Sequence, residues 1–220
     1  MGILSTLAPQ LRASAEGNEH SGPLHDFWYN ETGIESDSGI RVSEQGALSI
    51  STVWKCVEWW FRMYGTLPHK LFERTMQLGR SAQGEATGHN LYALIHSAPS
   101  TLMTAAYWHG LIAADLKLWG NSYALIVRGE RSARITALLR IRPDFVRPAV
   151  RSRQLWYYVR GDNGIEQPFY SDEILHIRGL GFDGVQGYSP IRQQMNLLGW
   201  NRATTRYGAQ FFKQASRPSG

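Results

Sequence analysis

The chain has 220 residues, 43% of them hydrophobic, and a formal charge of +5 from 23 basic and 18 acidic side chains. That is enough for one large domain or two small ones around a buried core. No apolar run approaches the roughly 18 residues that span a bilayer, and a lone cysteine, Cys56, excludes an intrachain disulfide framework and leaves no zinc-ligand spacing.

Residues 1 to 45 are rich in Gly, Ser, Glu and Asn, with Leu4, Leu7 and Leu11 as their main periodic signal, and read as a flexible N-terminal arm with a short helix. Met1 to Thr6 fits the N-myristoylation pattern, which is short and of low specificity, and no secretory leader precedes the arm. Order is expected near Ser51, an N-cap for the helix "TVWKCVEWWFRMYG". There Val53, Val57, Trp60 and Tyr64 recur at helical spacing against a Lys55, Glu58 and Arg62 stripe. Trp54, Trp59 and Phe61 widen the apolar side beyond one face, so the helix belongs deep in a core or against a neighbouring subunit.

Leu67-Pro68 ends that helix, "HKLFER" predicts a strand, and the polar stretch to Gly88 predicts a loop. "HNLYALIHS" predicts a short helix closed by Pro99. "TAAYWHGLIAADLKLWG" predicts a longer one, capped by Thr104 or Thr101 and ended by Gly120. Strands follow at "SYALIVRG", "ARITALLRIRP", "FVRPAV", "LWYYVRG" and "DEILHIRG", with a hairpin turn at "GDNG". Helices first and then mostly antiparallel strands make the fold class α+β.

The last element, Ser189 to Ala215, predicts one long helix, capped by Ser189 with Pro190 at its first position. Ile191, Met195 and Leu198 share one face, and Trp200, Ala203, Tyr207 and Phe211 lie roughly opposite; the stripe changes sides at Gly199. Such a helix has different neighbours at its two ends or kinks at Gly199. No Asp or Glu occurs after Gly184, while Arg192, Arg202, Arg206, Lys213 and Arg217 do, so this segment carries the whole positive excess. It presents a basic surface for nucleic acid or an acidic partner, or a solvated basic face.

Between the last strand and this helix, Gly179, Gly181 and Gly184 spell G-x-G-x-x-G, followed by Gly187. A dinucleotide site needs its third glycine to open the helix and an acid about 20 residues on. Gly184 lies five residues before Ser189 and no acid follows. The preferred reading is a structural turn in which Gly179, Gly181, Gly184 and Gly187 supply positive φ ahead of Ser189 and Pro190. His89, His96 and His109 lack metal-ligand spacing, His176 reads as a satisfied core or interface histidine, and Asp172 and Glu173 as a turn. No catalytic constellation, metal site or cofactor is expected, and the chain does not read as an enzyme.

The blocks "STVWKCVEWWFRMYGTLPHKLFER", "HNLYALIHSAPSTLMTAAYWHGLIAADLKLWGNSYALIVR", "LLRIRPDFVRP", "WYYV", "DEILHIRGLGFDGVQGYSPI" and "YGAQFFKQASRPSG", in that order, resemble the HK97-type portal proteins of tailed bacteriophages. The resemblance covers about residues 50 to 220. Its most specific parts are the strand, Gly loop and Ser-Pro-Ile at 173 to 191, the Trp119-Gly120-Asn121-Ser122-Tyr123 step, and the ending from Phe211-Phe212 to Gly220. It implies a portal wing domain over 46 to 188, with mostly antiparallel sheet and flanking helices, and a long basic helix over 189 to 220 that starts the stem.

It also implies a dodecameric ring in the virion, at the capsid portal vertex, assembled in the bacterial host cytoplasm. Double-stranded DNA would pass through without sequence specificity, during packaging and ejection. The implied partners are the terminase large subunit, the major capsid protein and head-tail connector or adaptor proteins, with no membrane. Family members continue past the point of Gly220 through clip, returning stem, tunnel loop and crown, so the sequence is expected to be part of a longer protein. Arg202, Arg206, Lys213 and Arg217 are then candidates to face DNA or a partner, with intersubunit salt bridges as the alternative role. A monomeric or dimeric DNA-binding protein and a nucleotide-binding enzyme using the Gly179 to Gly184 loop remain as alternatives.

Overall fold

The computed structural model describes residues 34–37, 39–77, 80–129, 133–161 and 164–215. The leucine-spaced part of the expected arm and the acylation pattern lie outside the described residues, as does Arg217. From Ile34 onward the expected flexible arm gives way to structure. Strands β1 (Ile34–Glu35) and β2 (Arg41–Val42) pair antiparallel, and Ser43 caps helix α1 (Glu44–Ala47). Val42 and Ala47 are buried against Leu118 and Ile191, more than seventy residues away in sequence. Two apolar residues are too few for a periodic signal, and their partners come from distant segments.

Helix α2 (Ser51–Thr66) starts at Ser51, which is its first helical residue and not its cap; extended Ile50 precedes it, with no side-chain cap. No residue of α2 is buried, so the deep-core alternative falls. Its inner side packs on helix α4 (Ala105–Leu118) at very close range: a Cβ on Gly65 would lie 2.7 Å from the Ala106 carbonyl oxygen, and one on Gly110 2.8 Å from the Phe61 ring. Trp59 and Met63, on the outer side, are 53% and 45% exposed.

The stretch expected to be a loop after "HKLFER" is instead the second half of a hairpin, β3 (Phe72–Gln77) with β4 (Arg80–Glu85). Its polar, glycine-containing sequence lacks β-propensity, and backbone pairing supplies the strand. Helix α3 (Asn90–His96) follows, and α4 is capped by Thr104, whose hydroxyl accepts from Tyr107 N at 3.4 Å.

Two three-stranded antiparallel sheets form the centre. The first orders β10 (Ile174–Arg178), β5 (Asn121–Arg128) and β6 (Ile135–Ile141); the second orders β7 (Val146–Arg151), β8 (Gln154–Arg160) and β9 (Glu166–Tyr170). β9 escaped the sequence reading because Glu166, Gln167 and Pro168 interrupt its alternation; Pro168 sits on an edge strand, where a missing N–H is tolerated. Gly161 N donates to Ile165 O across the β8–β9 turn. Tyr123, Leu125, Ile141, Tyr157, Val159 and Phe169 fill the space between the sheets. Trp108, Ile112, Ala124 and Leu138 join α4 to the other face of the first sheet. The architecture is thus α+β with helix, sheet and sheet layers.

The expected single C-terminal helix is two: α5 (Pro190–Gln193) and α6 (Met195–Ala215). The break falls at Gln194 (φ −109°, ψ 16°) and not at Gly199. Gln is a good helix former, so local propensity carried no sign of it.

One polar cluster went unread in the sequence. Asp115, 1% exposed, accepts from Ser122 Oγ at 3.1 Å and from Arg140 Nε and Nη2 at 3.0 and 2.6 Å, tying α4 to β5 and β6. Ser122 and Arg140 lie 7 and 25 residues from Asp115, spacings that only the fold makes adjacent.

Candidate functional site

The glycine-rich segment is a joint among three elements. Asn121, at the start of β5, donates from Nδ2 to the carbonyls of Trp119 (3.1 Å) and Gly187 (2.8 Å). Its Oδ1 accepts from Gly187 N at 2.7 Å and lies 2.9 Å from His176 Nε2. His176 Nδ1 in turn lies 3.1 Å from the Tyr157 hydroxyl. Burial first, and then the charge of Arg178, lowers the His176 imidazole to about 4. It is therefore neutral at pH 7, with Nε2–H donating to Asn121 and Nδ1 accepting from Tyr157, a satisfied structural histidine.

The four glycines serve different needs. Gly184 has φ +70° and open space around it. A Cβ on Gly181 would lie 2.1 Å from Gln186 O, one on Gly187 2.1 Å from Gly120 O, and one on Gly179 2.9 Å from Gly120 O. The expected positive φ is thus confined to Gly184; the other three are small because backbones cross there. Gly120 completes the crossing, with φ +73° and the Tyr188 carbonyl 2.1 Å from where its Cβ would be.

The same geometry argues against the nucleotide alternative. Gly179 N donates to Gly120 O, Tyr188 N to Leu180 O, Val185 N and Gln186 N to Asp183 Oδ1, and Gly187 N to Asn121. A phosphate cradle needs such N–H groups turned outward. The loop also carries its own anion: the backbone N–H groups of Gln186 and Val185 hold the Asp183 carboxyl below its usual range. The helix that follows has four residues. Ser189 caps it by accepting from Arg192 N at 3.2 Å and donates to Leu118 O at 2.7 Å, anchoring it to the end of α4.

Two further titratable groups have identifiable neighbours. His109 stacks on His69 with centroids 3.6 Å apart, and burial, then the nearby His69, lowers it to about 4. Glu173 accepts from Tyr170 N at 2.8 Å in the turn before β10. Among the described residues no group of three His, Cys, Asp or Glu could hold a metal ion, and no helix is long and apolar enough to cross a membrane.

The basic residues divide. Arg192 pairs with Glu44, Nε to Oε1 at 2.6 Å, and helps lock α5 to α1. Arg202 is half-buried and donates to Arg41 O at 3.1 Å. Arg202 and Arg206 together line a groove of about 760 Å³ between α6, Ile40 and the segment from Ser49 to Thr52. Exposed Lys213 lies about two turns beyond Arg206 on the same side of α6. The structure therefore brings Arg202, Arg206 and Lys213 onto one side of one helix. On the other side Trp200, Tyr207 and Phe211 are exposed.

A family model described as "Phage portal protein" matches residues 51–220. The portal protein of Enterobacteria phage HK97 is 29% identical over 166 residues, which make up 74% of this chain and 38% of that protein. In fold, the chain is similar to the HK97 family phage portal protein from Corynebacterium diphtheriae, with a TM-score of 0.51, 14% identity, and coverage of 84% of this chain and 52% of that one. It is also similar to a chain from the neck of an empty gene transfer agent particle, with a TM-score of 0.60, 19% identity, and coverage of 96% and 52%. The chain spans about two fifths to one half of the length of these proteins.

Proposed function

The chain belongs to the phage portal protein family, and we propose that it forms a ring of twelve copies at the capsid vertex of a virion, through which double-stranded DNA is packaged and ejected. Such a ring acts mechanically and electrostatically and performs no covalent chemistry of its own. During packaging it docks the large terminase subunit; afterwards it docks head-tail connector proteins, while the major capsid protein surrounds it.

One observation carries the reading. The second half of α6 bears an aromatic side and a basic side, and from Thr204 to Lys213 every residue but Gly208 is exposed. A helix of that composition is made for two different neighbours, one apolar and one acidic. A channel for DNA of any sequence needs scattered phosphate attraction without base readout, because tight specific contacts would stall translocation. Arg202, Arg206 and Lys213, spaced along a helix with no recognition motif, suit that role.

Light scattering and negative-stain imaging test the assembly: rings with a hole wide enough for duplex DNA are expected, and a monomer or compact dimer would overturn the reading in favour of a simple DNA-binding protein. With Arg202, Arg206 and Lys213 all replaced by Gln, the ring should persist while packaged DNA falls. Loss of the ring itself would assign the three to salt bridges between subunits.

A further inference from the structure

We propose that the acidic segment ahead of β1, residues 26 to 31, seats in the polar groove beside α6 of its own copy and screens Arg202 and Arg206 until a polyanion displaces it. The seating stands by itself; its displacement by DNA rests on the reading of these cations as DNA-facing.

Charge is divided between the two ends of the chain. From Ala13 to Ile40 there are six acids, Glu16, Glu19, Asp26, Glu31, Glu35 and Asp37, and no Lys or Arg. From Val185 onward there are five Lys or Arg and no acid. Opposite excesses of this size attract each other. The described residues already join these two regions: Asn196 Nδ2 donates to Asp37 Oδ2 at 2.7 Å, and Arg202 donates to the carbonyl of Arg41, whose partner across the β1–β2 pair is Glu35. The chain ahead of Ile34 therefore leaves the fold beside the basic side of α6.

The groove suits a segment that carries carboxylates. Arg202 and Arg206 line it together with Ser51 and Thr52. Helix α2 begins there with extended Ile50, no side-chain cap and no acid in its first turn, so its first amides and its dipole add to the positive potential of two guanidinium groups. Ile40, Ile50 and Ala209 supply a smaller apolar part. Residues 26 to 31, which lie outside the described residues, read D-F-W-Y-N-E: Asp26 and Glu31 bracket Phe27, Trp28 and Tyr29. Carboxylates match guanidinium groups, and aromatic faces stack on them. The extended chain from Asp26 to Ile34 spans about 26 Å at most, while Arg202 and Arg206 lie about 6 Å apart along the helix. So short a tether holds the segment at an effective concentration of about millimolar. Cations that attract DNA of any sequence attract every other nucleic acid as well. A tethered acidic cover reserves them for a polyanion strong enough to displace it.

The test puts the photo-crosslinking amino acid p-benzoylphenylalanine in place of Trp28 in the full chain and maps the product by mass spectrometry. Cross-links to residues 49–52 or 201–209 are expected, within one copy and undiminished by dilution, with a lower yield when Arg202→Gln and Arg206→Gln are added. In parallel, Asp26→Asn with Glu31→Gln should tighten binding of a fluorescent mixed-sequence DNA duplex about tenfold at low salt, the factor for a cover in place about nine-tenths of the time. Cross-links from position 28 to other surfaces, or only between copies, overturn the inference. Unchanged duplex affinity in the carboxylate variant also overturns it and leaves the DNA reading standing. Groove cross-links without duplex binding by either protein support the seating and overturn the DNA reading of these cations.

Discussion

The joint around Asn121 and the far end of α6 are built to opposite rules. At the joint, amides, carbonyls and side chains satisfy one another within the chain, and a Cβ on Gly187 or Gly120 would have to overlap backbone. At the end of α6, by contrast, Tyr207 and Phe211 stand out from the fold, 72% and 57% exposed. The first region is complete in one copy. The second exposes large apolar side chains of the kind that mark an interface, so damage to the first should appear as lost stability and damage to the second as lost assembly.

The largest effect is expected where the helix layer meets the sheet. Arg140→Met leaves the Asp115 carboxylate buried and unpaired and should cost about 3–5 kcal/mol in urea unfolding. Replacing Asp115 with Leu in the same chain should restore most of that loss, because no lone charge remains. Next, Gly187→Ala should cost about 3 kcal/mol by overpacking, against about 1 kcal/mol for Gly184→Ala, which meets only the strain of positive φ. Equal costs at the two positions would show that the loop relaxes and that the backbone crossing is not rigid.

Acid should act on the same region. His176 and His109 are held near 4 in the folded chain, against an ordinary value of about 6.5. The unfolded chain therefore binds more protons between those values, so stability is full above about pH 6.5 and falls as pH drops toward 4. His176→Gln, which retains an amide able to reach Asn121, should flatten that slope without abolishing it, as read by unfolding midpoints from pH 7 to 4.

The smallest effect on stability, within about 0.5 kcal/mol, is expected for Tyr207→Ser, since an exposed side chain adds little to the folded monomer. The same substitution should lower the mass observed by light scattering. If it unfolds the chain while leaving assembly intact, the contrast between the two regions is wrong.

Much of this was legible in sequence, for stated reasons. Ser189-Pro190 has the composition of a helix start, Thr104 that of a cap, and the Trp119 to Tyr123 step stands among the most specific parts of the family resemblance. The face change along α6 was readable because helical period is a property of the chain itself. Other features were not. Glycine residues that avoid a Cβ clash look the same in sequence as those that supply positive φ, and only the crossing of Gly120 with Gly179 and Gly187 separates them. The hairpin β3–β4 and the contacts of β1, β2 and α1 depend on partners that a local window does not contain.

By itself, then, the sequence determined the α+β order of elements, the basic and aromatic sides of the last helix and the family of the chain, because propensity, periodicity and motif order are local quantities. Tertiary structure decided that Gly179 and Gly187 turn their amides to Gly120 and Asn121, that Asp115 meets Arg140, that the helix breaks at Gln194, and which flank of α6 becomes a groove. Each of those depends on the close approach of segments far apart in the chain, which packing and hydrogen-bond satisfaction select and no single stretch of residues encodes.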